Sequence, residues 1–148
     1  MARKYFEDFK VGEKFVTARR TVTEATITMA IGIGGYTNPL FLDEETAKNS
    51  RFGGRIAPGR LSFFLIGGLE EESIWQDTPA ILVGVNNMTF KNPLQAGDTV
   101  RCEVEILELR ETSKAQWGIE RHKSTLLNQK NEIVCEHEAT HLMERRPT

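Results

Sequence analysis

Apolar positions follow two different periods along this chain, and the period changes between its halves. In the second half Val100, Cys102, Val104 and Ile106 alternate with Arg101, Glu103 and Glu105, the two-residue repeat of a strand buried on one face. Ala80 to Phe90, Thr99 to Arg110, Lys114 to Gln129 and Glu132 to Arg145 are all expected to be strands. Asn92-Pro93, Ala96-Gly97-Asp98 and Asn128 to Asn131 mark the turns between them. Connections this short favour antiparallel pairing.

The first half opens with an expected strand, Lys14 to Thr23, rich in Val, Thr and Phe. Thr23 is placed to cap a helix that starts at Glu24 and runs to about Gly32. Gly32, Gly34 and Gly35 end that helix, Asn38-Pro39 marks a turn, and Asp43 caps a short helix from Glu44 to Lys48. Gly53-Gly54 and Pro58-Gly59 then bracket the approach to a third helix, Arg60 to about Glu71. Leu61, Phe63, Phe64, Leu65, Ile66 and Leu69 place apolar groups nearly all round it. A helix apolar on every face is expected to be buried on every face, so the later strands must wrap it. The pattern predicts an α+β domain over residues 1–148, a curled antiparallel sheet around one central apolar helix.

Composition narrows the function classes. The chain has 148 residues, 39% hydrophobic and 27% charged, within the range of one globular domain. Its 19 Lys and Arg are scattered among 21 Asp and Glu, for a net charge of −2. Neither a nucleic-acid footprint nor a polybasic membrane segment is present. The longest apolar run, Phe63 to Leu69, is far short of the roughly 20 residues that cross a bilayer. The start, Met1 to Asp8, has no apolar stretch of the signal-peptide kind, and the cytoplasm is the expected compartment. Cys102 and Cys135 are expected as reduced, buried thiols.

Other candidate chemistry is sparse. His137 and His141 sit four apart in an expected strand, where they are separated by roughly 13 Å and cannot clamp one metal together. His122 has no patterned partner, so no metal site is expected. Gly32-Ile33-Gly34-Gly35 lacks the preceding strand and spacing of a dinucleotide loop. No serine lies in a nucleophile-elbow setting. Glu70-Glu71-Glu72 reads as a solvated helix end.

Two segments carry a family resemblance. Gly35-Tyr36-Thr37-Asn38-Pro39-Leu40-Phe41-Leu42-Asp43 resembles the hydratase motif of MaoC-like proteins, G-D-x-N-P-x-H-x-D, and Arg55-Ile56-Ala57-Pro58-Gly59-Arg60-Leu61 resembles their R-I-A-H-G-M-L. Tyr5 to Gly12, Arg20 to Ala25, Phe90 to Leu94, Gly97 to Val100 and Glu138 to Thr140 are similar to further phrases of the family, in the same order. The resemblance implies the MaoC-like, (R)-specific enoyl-CoA hydratase type of hot-dog fold. It also implies pairing as a homodimer or with another hot-dog chain. An acyl-CoA or acyl-carrier thioester would bind near the central helix, with no cofactor. Substrate contacts then fall to Phe41, Pro58, Gly59 and Arg60, with the thioester carbonyl near Gly59. Free N–H groups and the positive helix end there suit a developing enolate oxyanion.

The same alignment removes the usual chemistry. The family's Asp falls on Tyr36, its His on Phe41, and the His of the second motif on Pro58. Phenylalanine exchanges no proton, and tyrosine, with a reference pKa near 10, is a poor base that can still donate. A positioned acid or base typically supplies ~10²–10⁴-fold, so loss of both predicts a collapse of ordinary hydration. Tyr36 and Asn38 remain the candidate catalytic residues. Their plainer roles are a pocket wall for Tyr36 and a turn-fixing side chain for Asn38, while Phe41 fills the space of an imidazole. Three functions follow. The first is an acyl-thioester-binding chain within a hydratase or 3-hydroxyacyl dehydratase system. The second is an active hydratase or dehydratase that uses Tyr36. The third is a hot-dog thioesterase in which Asp43 or Glu44 activates water.

Overall fold

The computed structural model describes residues 2–148. Met1, which opens the start read above for a signal peptide and the expected 1–148 domain, lies outside them. A 3₁₀ turn, Phe6–Asp8, leads into β1 (Lys14–Val16), β2 (Arg20–Thr21), α1 (Glu24–Gly34), α2 (Pro39–Leu42), α3 (Glu44–Lys48) and α4 (Gly59–Glu70). A π turn, Glu71–Trp75, follows, and then β3 (Ala80–Phe90), β4 (Thr99–Glu111), β5 (Trp117–Leu127) and β6 (Ile133–Glu144).

The four long strands fall where alternation placed them. They form an antiparallel sheet in the order β1-β4-β5-β6-β3, with β2 also on β4. The single first strand of the sequence reading is instead two. Val16 pairs with Glu103 and Arg20 with Val100, so the first segment carries one residue more than its partner, a bulge. Thr17 occupies the irregularity, its N–H donating to the Cys102 carbonyl and its hydroxyl accepting from the Cys102 N–H.

α4 lies across β4, β5 and β6. Leu61, Ile66 and Leu69 pack into a core with Val100, Cys102, Val104, Ile106 and Leu126. Burying a side chain of this size contributes roughly 1.5–3 kcal/mol. Both cysteines are free and buried. The helix is not covered all round, however. Arg60, Phe64, Gly67 and Gly68 are exposed, and Phe64 retains 78% of its surface. One sheet can cover only one side of a helix, and this chain supplies no second layer among its described residues. Another uncovered apolar surface is β3, at the sheet edge, where Ile81, Leu82 and Val83 are about half exposed. No helix among the described residues is long and apolar enough to cross a membrane.

Candidate functional site

Local capping builds the loop that carries the first motif. Thr23 caps α1, its hydroxyl accepting from Thr26 N–H, and Gly35 ends the helix in the left-handed region at φ 68°. The helix therefore runs two residues past the expected Gly32, because only the third of the three glycines adopts a helix-ending conformation. Asn38 caps α2, its Oδ1 accepting from Leu40 N–H at 2.9 Å, which is the turn-fixing role. Asp43 caps α3 by accepting from Glu45 and Thr46 N–H. The Thr46 hydroxyl and these amides hold its carboxyl below the usual range. Arg55 then ties three elements together, reaching Glu44 at 2.7 Å and Glu24 at 2.9 Å. Ile56 N–H donates to Leu40 O, and Ala57 N–H to Leu94 O. The second motif is thus fixed against the first.

Tyr36 and Phe41 meet edge to face, with ring centroids 5.7 Å apart. Gly34 is required beneath them, since a Cβ there would overlap the Tyr36 ring. Tyr36, Arg60, Leu61, Met29 and Leu65 line a mainly apolar cavity of about 420 Å³, with Arg20 on its wall. Pro58 is the residue before α4, buried, and offers no side-chain cap. The first amides of the helix therefore depend on other partners. Gly59 packs beside the Phe90 ring, at a distance where a Cβ would make ordinary contact, 3.4 Å. The structure brings Tyr36 and Arg60 to one cavity, with Phe41 behind Tyr36. Asn38, Pro58 and Gly59 do not line that cavity.

A second polar group escaped the sequence reading. Glu70 is buried at the end of α4, whereas Glu71 and Glu72 are exposed. The acidic run is therefore a solvated helix end only in its last two residues. Glu70 accepts hydrogen bonds from Trp75 Nε1 at 3.2 Å and from Ser124 Oγ. Nor does His122 lack a partner. Its Nδ1 lies 2.9 and 3.0 Å from the two Glu120 oxygens, and its Nε2 lies 3.4 Å from Glu70 Oε2. His141 Nδ1 stands 3.1 Å from Glu120 Oε2. Burial pushes the His122 imidazolium down, but Glu120 and Glu70 outweigh that and hold it up to about 9. Burial likewise opposes both carboxylates, and the paired imidazole still holds them below the usual range. Burial, helped by the nearby His122 and opposed by Glu70, pushes His137 down. Alternation carried the missing signal: Glu120, His122 and Ser124 share a phase with buried Leu126, as His137 and His141 do with Cys135 and Met143.

A single antiparallel sheet laid on one long helix, with a cavity beside the start of that helix, defines a hot-dog protein. The chain belongs to the MaoC like domain family, which matches residues 8–127. It is 32% identical to the (R)-specific enoyl-CoA hydratase of Rhodospirillum rubrum over 105 residues, 71% of each chain. It is also 32% identical to Protein MaoC of Klebsiella aerogenes over 116 residues, 77% of this chain and 33% of that one. This chain thus spans about a third of that relative's length. Among solved structures, the MaoC-like dehydratase from Rhodospirillum rubrum superposes with a TM-score of 0.85 at 30% identity, covering 98% of this chain and 99% of that one. The HadBC (3R-hydroxyacyl-ACP dehydratase) complex from Mycobacterium tuberculosis has a TM-score of 0.75 at 20% identity, covering 90% and 96%, a likeness of fold.

Proposed function

We propose that this chain binds an acyl thioester as part of an enoyl-thioester hydratase or 3-hydroxyacyl dehydratase system, without itself carrying the proton-transfer pair. The observation that carries this reading is the Tyr36–Phe41 ring pair beside the apolar cavity. The position of the family's His holds Phe41, a ring that cannot exchange a proton, packed behind the Tyr36 that lines the cavity. A partner hot-dog chain would supply the acid and base. The HadBC (3R-hydroxyacyl-ACP dehydratase) structure, a likeness of fold, is described as a complex, and the uncovered face of α4 with the bare edge of β3 offers a seat for a second chain.

The test is hydration of an enoyl thioester by the wild type beside the double change Tyr36→Asp, Phe41→His. The wild type alone is expected to be inactive, with turnover appearing in the double variant. Robust wild-type turnover would overturn the reading. It would favour a second one, in which the Tyr36 hydroxyl, facing the same cavity as Arg60, donates the proton. Tyr36→Phe separates the two, because only the second loses activity with that hydroxyl. The thioesterase reading has less support. Asp43 is engaged by the α3 amides and Thr46, and Glu44 by Arg55, so neither is free to activate water.

A further inference from the structure

The interior end of α4 presents a problem of charge. Glu120 and His122 have no exposed surface, and Glu70 retains 5%. The two carboxylates lie against the His122 and His141 imidazoles, and neither is paired with a lysine or arginine among the described residues. Burying such charges is costly unless something pairs with them. A divalent cation held by Glu120 and two neutral imidazoles, next to the Glu70 carboxylate, brings the group to zero.

The geometry has room for a cation, with His122 Nδ1 and Glu120 also within hydrogen-bond distance of each other. One ligand atom from each of Glu120, His122 and His141 falls within 4.8 Å of the others. His141 Nδ1 is only 3.1 Å from a Glu120 oxygen, yet it has no hydrogen-bond partner among the described residues. Two donor atoms about 3 Å apart that do not bond to each other suit an edge of a coordination polyhedron. Metal–ligand bonds of ~2.0–2.1 Å in a tetrahedron give an edge of roughly 3.3 Å.

We infer that Glu120, His122 and His141 form a binding site for a divalent transition-metal ion of the Zn²⁺ class, with Glu70 as the outer carboxylate behind His122. Two imidazoles and one carboxylate are a donor set that such ions take, and they leave a fourth position open. A carboxylate beside the second nitrogen of a ligating histidine fixes ring orientation, and Glu70 is itself fixed by Ser124 and Trp75. Entry is provided for. Glu70, Trp75 and His141 line a cavity of about 380 Å³ that runs along α4 beside Leu82. The expectation of no metal site weighed His137 against His141 along one strand. The ligands come instead from two strands, through the register that sets His141 opposite Glu120.

The test is titration of chelator-treated protein with Zn²⁺ by calorimetry, and with Co²⁺ by visible absorption. One ion per chain is expected, with protons released on binding and Co²⁺ bands of four-coordinate intensity. His141→Ala and Glu120→Gln should abolish saturable binding, and Glu70→Gln should weaken it by about 10–100-fold. His137→Ala, buried nearby but outside the ligand set, should leave it unchanged. If Glu120→Gln does not fold, His141→Ala at the cavity wall decides the matter. No saturable binding to folded wild type would overturn the site, as would unchanged binding to folded His141→Ala or equal loss in His137→Ala. Any of these outcomes would leave an ionic network centred on His122.

Discussion

At Gly118 the ring of Phe6 occupies the place where a Cβ would stand. Phe6 comes from the opening 3₁₀ turn and is buried, so this contact seats the start of the chain on β5. Gly118→Ala is expected to reduce unfolding free energy by about 1–3 kcal/mol, the usual cost of overpacking. In a Phe6→Ala background the same change should be nearly neutral, because the two sites couple only through that ring. Urea unfolding of the four proteins measures this, and an equal cost in both backgrounds would refute the contact. The sequence does not reveal such pairs. Gly118 sits within an alternating strand where a glycine has no obvious purpose, and Phe6 is over a hundred positions away. The caps at Thr23 and Asp43 were readable, by contrast, because both act on amides two or three residues ahead, as the turn at Asn38 was, though not the short helix it caps. Chemistry confined to one turn leaves a local signature, and chemistry across the sheet does not.

The elements differ in the same way. β3 to β6 lie close to their expected bounds because each is a long run bounded by turn residues, and in β4, β5 and β6 buried positions alternate along much of the strand. The first strand broke in two because a bulge changes the strand's phase without any breaker residue. Periodicity also marks which positions are apolar but not what covers them, so α4 was expected to be enclosed when its Phe64 face is open. That face and the β3 edge are both left without a partner among the described residues. An exposed apolar edge invites pairing with another chain, and we expect two copies to join there. Val83 is suited to a test, since it falls at the register break and pairs with no β6 residue. Val83→Lys should leave circular dichroism unchanged while the mass by light scattering falls to that of one chain. A mass equal to that of the wild type would rule out the β3 edge as the joint.

For the molecule as a whole, the proposed binding of a thioester has to work against a net charge of −2. A CoA thioester carries several negative charges, so the overall field repels it and local cations must do the attracting. Arg20 and Arg60 stand on the wall of the 420 Å³ cavity, with Tyr36 and Leu65 supplying apolar surface for an acyl group. Arginine suits phosphate because its planar fork can donate two parallel hydrogen bonds. Butyryl-CoA at a hundred times its dissociation constant should therefore stabilise the folded chain by about 2.7 kcal/mol. For a domain of this length that is a rise of about 5–10 °C in thermal midpoint. Arg60→Ala should lose most of the rise at the same ligand concentration. Butyryl-pantetheine, which keeps the thioester but lacks the nucleotide, separates two forms of the idea. If it matches butyryl-CoA and Arg60→Ala changes neither, the cavity reads the acyl arm alone and suits a carrier-protein substrate. If neither compound moves the midpoint of the wild type, thioester binding by this chain is refuted, whatever its relatives do.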